Sequence, residues 1–263
     1  MINFKGWLNT NDSLLEDYSS NSCYLSRSIL EVSDNLYKFA EELGSVPREE
    51  VQKWISAKDP TRNNFFDDYK ERRTFTALFG WSVPCKEAVE AIKKYAREPL
   101  YDLMAGTGYW SRILKKAAIN VQASDIHKQL QKNYYHQTRD ETGMLNIKIP
   151  VEKSKIRRKN ALRVAYDLKN QRIKGDIFLS WPPYQSSFAT DVLKMIPIGS
   201  RVFYIGEPEG GCTGDASLCR MLDKNFKELH FELLPRFSGI NDYLSIYEKI
   251  KDEEIDPKYR GKV

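Results

Sequence analysis

Asp102, Gly106, Gly108 and Asp125 have the types and spacing to hold a nucleotide. The first three lie in Tyr101-Asp102-Leu103-Met104-Ala105-Gly106-Thr107-Gly108-Tyr109-Trp110, a short apolar run that enters a glycine turn and then a helix. Asp125 comes seventeen residues after Gly108 and follows a second short apolar run, Asn120 to Ala123. Strand, glycine turn, helix and strand with a terminal acid make a βαβ unit suited to an adenosine-bearing cofactor. The glycines permit close backbone approach, and an acid at the second strand's end can accept both ribose hydroxyls. A nicotinamide dinucleotide is the competing ligand, but Ser111 stands where that turn has its third glycine.

A second constellation follows the apolar run Asp176-Ile177-Phe178-Leu179-Ser180. It is Trp181-Pro182-Pro183-Tyr184. Two prolines in sequence make a rigid turn that exposes carbonyls. Tyr184 can stack on a planar ring. Trp181 offers a donor and no acceptor, so an incoming amine is left with the carbonyls of Trp181 or Pro182. Ser180 is one place early, and in a continuing strand its side chain points to the opposite side. Glu207 ends a later apolar run and is either a substrate-orienting carboxylate or a solvated strand end. The loop Gly210-Gly211-Cys212-Thr213-Gly214 is glycine-rich enough to let backbone approach a ligand. No histidine lies near Cys212 to activate it as a nucleophile.

These residues need a sheet to position them, and the chain alternates accordingly. Strands are predicted over 100–104, 119–123, 176–180, 201–205, 229–234 and 243–250. Helices are predicted over 109–118, about 126–139, the second half of 148–174, about 186–196 and about 215–224. Parallel strands need crossover helices, so this alternation predicts a parallel, doubly wound sheet. The last two strands have only a loop between them, which makes one strand antiparallel. Ahead of the sheet, Leu25, Ile29, Val32, Leu36, Phe39 and Leu43 recur at helical spacing. Gly44 is a stop, and Pro47 opens a second helix with Val51, Trp54 and Ile55 on its apolar stripe. A further helix carries Val89, Ile92 and Tyr95, and the turn before it, Phe79 to Pro84, falls beside the predicted cofactor. The expected organisation is an N-terminal helical cap or platform over 1–75, a main domain over 76–250 and a charged tail over 251–263.

The chain has 263 residues, 41 Lys+Arg against 36 Asp+Glu and a net charge of +5. Its 41% hydrophobic content supports a real core, so disorder is not the default. No run approaches the ~18 apolar residues of a membrane span. The start lacks a signal-peptide pattern. Cys23, Cys85, Cys212 and Cys219 are scattered, and with three histidines they form no zinc-ligand pattern. Reduced thiols, a cytoplasmic location and no metal are expected. Residues 148–174 hold ten Lys/Arg against two Asp/Glu. This is either a solvated helix face or a surface that contacts RNA or DNA phosphates, with Arg72-Arg73 adding to it.

Across about residues 76–250 the chain resembles class I S-adenosylmethionine (SAM) dependent methyltransferases. Asp102 to Gly108 resembles that family's Asp/Glu-x-Gly-x-Gly-x-Gly loop, with Met104 at its first glycine. Asp125 matches the ribose-binding acid, and the late antiparallel strand is that fold's mark. Val83-Pro84 resembles the Thr-Pro turn of amino-methylating DNA enzymes. Asn160-Ala161 resembles the polar-Ala step at the adenine. Trp181 to Tyr184 is similar to the Asp/Asn/Ser-Pro-Pro-aromatic motif of enzymes that methylate amino nitrogens, with Trp181 in the acceptor's place. Together with the loop at 210–214 this points to an uncharacterised branch of the superfamily. The resemblance implies a Rossmann-like α/β fold with a seven-stranded sheet, one strand antiparallel, and a small N-terminal helical region. It implies SAM as cofactor, held by Val83, Pro84, Asp102, Ala105, Gly106, Gly108, Tyr109, Trp110, Asp125, Ile126, Asn160, Ala161 and Ser180. Trp181, Pro182, Pro183 and Tyr184 would frame the acceptor, and Glu207, Gly210 and Gly211 would face the substrate. The implied reaction is methyl transfer to an amine such as adenine N6, with the base flipped out or single-stranded. A small-molecule or protein methyltransferase and a catalytically weak SAM- or nucleic-acid-binding module are the alternatives.

Overall fold

A computed structural model describes residues 42–56, 72, 75–76, 79–97, 99–125, 134–140, 143–149 and 156–252. The sheet has seven strands: β1 Leu100–Leu103, β2 Val121–Asp125, β5 Arg157–Arg158, β6 Asp176–Ser180, β7 Arg201–Gly206, β8 Phe226–Leu233 and β9 Tyr243–Lys249. Their spatial order is β5-β2-β1-β6-β7-β9-β8. β1 pairs in parallel with β2 and β6, β2 with β5, and β6 with β7. β9 runs antiparallel between β7 and β8. This is the Rossmann-like sheet with one antiparallel strand that the alternation and the resemblance imply. The strand order reverses between β1 and β6, so a crevice opens there beyond the carboxyl ends of the strands.

Six described helices support it: α1 Arg48–Ser56, α2 Lys86–Tyr95, α3 Tyr109–Lys116, α4 Ala161–Lys169, α5 Phe188–Met195 and α6 Ala216–Asn225. Strand side chains alternate between two cores, as the pleat requires. Leu100, Phe178, Phe203 and Ile205 face one core, with Val89 and Ile92 of α2 and Ile113 and Leu114 of α3. Tyr101, Leu103, Ile177, Leu179, Val202 and Tyr204 face the other, with Val164, Val192, Leu193 and Leu218 of α4, α5 and α6. Leu43 and Val51 are buried in the first of these cores, so residues 42–56 pack on the sheet domain. The Arg48 N–H donates to Glu87 Oε2 at 2.8 Å, which ties α1 to α2. Of the first predicted helix only its end, with Leu43, lies within the described residues.

The helix expected over about 126–139 is corrected across its second half. Residues Tyr134–Asp140 form β3, which pairs antiparallel with β4, Gly143–Ile149, in a separate two-stranded sheet. The register closes on Asp140 opposite Gly143. Tyr134, Tyr135 and Thr138 favour a strand, and pairing with a partner strand of matching length decides the conformation. Residues 126–133 lie outside the described set. β5 was not foreseen. It is two arginines with no apolar pattern, paired with Ser124 and Asp125.

Candidate cofactor and acceptor site

The turn after β1 closes over the end of β2. The Ala105 N–H donates to the Ser124 carbonyl at 3.1 Å, and the Gly106 N–H donates to Asp125 Oδ2 at 2.9 Å. Gly106 has φ +52° and Gly108 φ +74°, the left-handed region that glycine enters without a Cβ penalty. A Cβ on Gly106 would meet nothing within 4 Å, so its outer side is open. Met104 shares this backbone at φ +61°. It takes a glycine-like backbone at a steric cost. Helix α3 starts directly from Gly108 with no side-chain cap, which leaves its first N–H groups facing the turn.

The other predicted cofactor residues are placed as follows. Asp102 is buried and accepts from Ser111 Oγ at 2.6 Å, which fastens β1 to α3. Burial pushes its carboxyl up to about 7, opposed by the Ser111 hydrogen bond. Tyr109 and Trp110 are buried in the first core. The Trp110 indole donates to Ser82 Oγ at 2.8 Å, and the buried Tyr109 hydroxyl has no partner among the described residues. Val83 and Pro84 are buried behind Ser82. The Lys159 N–H donates to the Asp125 carbonyl at 3.1 Å, which brings Asn160 beside Asp125. Asn160 Oδ1 accepts from the Leu162 N–H at 2.8 Å and caps α4, and Ala161 is buried in the second core. Ser180 lies 3.2 Å from Ser82, hydroxyl to hydroxyl, where β6 ends. Ile126 lies outside the described residues.

The predicted acceptor end is assembled from distant segments. Trp181 takes φ +52°, a strained backbone for a bulky residue. Three contacts hold it there. Its N–H donates to the Ile205 carbonyl at 2.8 Å, its indole N–H donates to Asp242 Oδ1 at 2.9 Å, and its ring stacks on Trp81 at 5.3 Å and 19°. The Arg72 guanidinium lies 5.5 Å from the Trp81 ring centre and 5.8 Å from that of Trp181. Burial pushes the Asp242 carboxyl up to about 8, opposed by the Trp181 hydrogen bond and reinforced by Glu207. Sequence reasoning missed Trp81, Ser82 and Asp242. Trp81 sat in a turn already placed beside the cofactor, which is a usable signal. Asp242 precedes β9 in a polar loop that carries none.

The proline turn is stitched to the glycine loop. The Pro182 carbonyl, expected to serve an amine, accepts from the Gly214 N–H at 2.9 Å, and the Gln185 N–H donates to the Gly214 carbonyl at 2.8 Å. Tyr184 is 58% exposed at the tip, next to exposed Pro183. Glu207 is buried. Its Oε2 accepts from the Cys212 N–H at 2.8 Å and its Oε1 from the Asn241 N–H at 3.0 Å. A Cβ on Gly211 would lie 2.4 Å from that of Glu207, so only glycine fits. Gly210 is exposed at φ +90°. Gly211 therefore lets the loop fold over Glu207.

In the basic stretch, Asp167 gathers Lys159 at 3.0 Å, Arg163 at 3.3 Å and Arg172 at 3.7 Å. The Lys159 hydrogen bond is the main cause holding Asp167 below its ordinary value. Among the described residues no cluster of His, Cys, Asp or Glu could hold a metal, and Cys85, Cys212 and Cys219 are free thiols. No described helix is long and apolar enough to cross a membrane.

No protein-family model matches the chain, and no curated protein is similar to it in sequence. Solved structures resemble it slightly. A magnesium protoporphyrin IX methyltransferase from Synechocystis PCC 6803 with bound SAM is 12% identical, with TM-score 0.39, over 81% of this chain and 96% of that one. The N-methyltransferase NodS from Bradyrhizobium japonicum WM9 is 10% identical, with TM-score 0.39, over 70% and 98%. An rRNA methylase from Streptococcus thermophilus is 12% identical, with TM-score 0.36, over 63% and 96%. The fold itself rests on the strand order above.

Proposed function

We propose that this protein is a SAM-dependent methyltransferase that transfers a methyl group to an amine nitrogen of a nucleic-acid base. The observation that supports it most is the Gly106–Asp125 turn at the switch point of a sheet with one late antiparallel strand. The residues present fit the cofactor. Gly106 is open on its outer side, the α3 start is uncapped, and a carboxylate stands at the end of β2 for the ribose. When bound, SAM would supply an electrophilic methyl group, and such a displacement needs an aligned lone pair more than a strong base. The chain's part is then positional. Asp125, Gly106 and Gly108 hold one reactant, while the rigid turn from Trp181 to Tyr184 orients the other.

Calorimetric titration with SAM and with S-adenosylhomocysteine tests the cofactor, and micromolar binding of both is expected. Transfer of labelled methyl from SAM to RNA or DNA, in preference to small-molecule extracts, tests the acceptor. A small-molecule or protein acceptor is the second reading. It is favoured by the donor-only indole of Trp181 where an amine acceptor is expected, and labelling of extracts alone would establish it. Binding of SAM with no transfer to anything would leave a binding module.

A further inference from the structure

We infer that Trp81, backed by Trp181 and flanked by Arg72, is a stacking platform for an exposed base of single-stranded nucleic acid. This deepens the methyltransferase reading and rests on it for the role of the bound base. Four observations carry it. First, Trp81 stacks on Trp181 yet remains 45% exposed, so a large aromatic surface is left to solvent at the carboxyl edge of the sheet. Second, Trp181 is held at φ +52° to make that stack, a backbone that costs about 1–3 kcal/mol and persists only where its surroundings impose it. The Ile205 carbonyl, which accepts from the Trp181 N–H, and Asp242, which accepts from its indole, hold it there. Third, Arg72 lies against both rings, and its Nε is buried without a hydrogen-bond partner among the described residues. A guanidinium beside an aromatic face suits a base with its phosphate. Fourth, the site adjoins the cofactor turn. Ser82, the next residue, accepts from the Trp110 indole of α3 and touches Ser180 at the end of β6.

Charge agrees with an anionic partner. Among the described residues, the acids Glu207 and Asp242 are turned inward. Glu207 gives both oxygens to backbone N–H groups, and Asp242 is buried beneath the indole. Arg72 is the charged group at the ring faces. Exposed Tyr184, three residues after Trp181, adds a second ring for a neighbouring base.

The test is fluorescence anisotropy with a labelled twelve-nucleotide single strand, using the full chain and its Trp81→Ala and Trp81→Phe variants, each also titrated with SAM by calorimetry. Trp81→Ala is expected to weaken strand binding about fivefold to a hundredfold, the range for loss of one base stack. Trp81→Phe should recover most of it, and SAM affinity should not move in either. Equal strand binding by wild type and Trp81→Ala overturns the platform. So does an unlabelled nucleoside monophosphate that competes as well as the strand, because the occupant is then a small molecule. Strand binding lost in Trp81→Ala with no SAM binding by wild type keeps the platform and removes the methyltransferase reading. SAM binding with no strand binding does the reverse.

Discussion

The two ends of the carboxyl edge are built in different ways. The Gly106–Asp125 end comes from one continuous stretch, residues 102–125, and its contacts are mostly backbone to backbone or backbone to carboxylate. The Trp81–Trp181 end draws on Arg72, Trp81, Trp181 and Asp242, and apart from the Trp181 N–H on the Ile205 carbonyl its contacts are side chain to side chain. A backbone-built site tolerates drift in most of its residues, which is why a short motif can mark it. A site built from side chains of four segments depends on the identity of each of them. On the proposed function, the difference would separate a general task, holding a common cofactor, from a specific one, choosing an acceptor.

The largest expected effect breaks the second end alone. Trp181→Ala removes the Trp81 stack and the Asp242 hydrogen bond while leaving Ala at φ +52°. It should cost about 3 kcal/mol of stability in urea unfolding, with SAM affinity unchanged. A matching loss of SAM affinity would show that the two ends are one unit. Asp125→Ala is the mirror experiment. It deprives Gly106 of its carboxylate partner and should lower SAM affinity about tenfold to a hundredfold, the range for a hydrogen bond to a charged group. Unchanged affinity in calorimetry would remove the cofactor assignment altogether.

Legibility follows the same division. The alternation of Leu100, Phe178 and Phe203 with Tyr101, Ile177 and Val202 between two cores is local, so the main strands and their parallel order could be read from the sequence. The turn from Asp102 to Gly108 and the acid at Asp125 are local too. Asp242 is 61 residues from the indole it holds, and nothing in its neighbours signals the pairing. β5 escaped for a related reason: Arg157 and Arg158 extend only because they meet Ser124 and Asp125. At 134–139 the strand–helix alternation misled, since pairing with β4 decides the conformation there. Gly211 was legible as a close approach, and the group a Cβ there would meet is the chain's own Glu207.

Glu207 gives a smaller effect that sharpens the contrast. Glu207→Gln keeps one acceptor and turns a donor toward either Cys212 or Asn241, leaving one part-buried N–H unpaired. A loss of about 1–2 kcal/mol in unfolding is expected, with methyl transfer reduced no more than stability accounts for. If transfer collapses while stability holds, Glu207 orients the acceptor, and the second end contains a carboxylate that acts on substrate.

The smallest effect concerns pH. Burial pushes Asp242 up to about 8 in the folded protein, against an ordinary 3.8. Below the ordinary value both states hold the proton, and the full stability is present. Between about 4 and 8 the unfolded chain has released the proton and the folded one has not, so stability falls as pH rises. Above about 8 both are ionised and this contribution stops changing. Asp102, pushed up to about 7, acts in the same direction over a narrower window. Asp242→Asn keeps an oxygen for the Trp181 indole but cannot ionise. Its urea midpoint should therefore drop less between pH 5 and pH 8 than that of wild type, with a residual drop from Asp102. An identical drop in both proteins would mean that Asp242 ionises freely, and the acceptor end would then carry a negative charge next to the indole pair. A charged Asp242 beside Trp181 would repel a phosphate, so the same titration also bears on whether Arg72 meets an anion there.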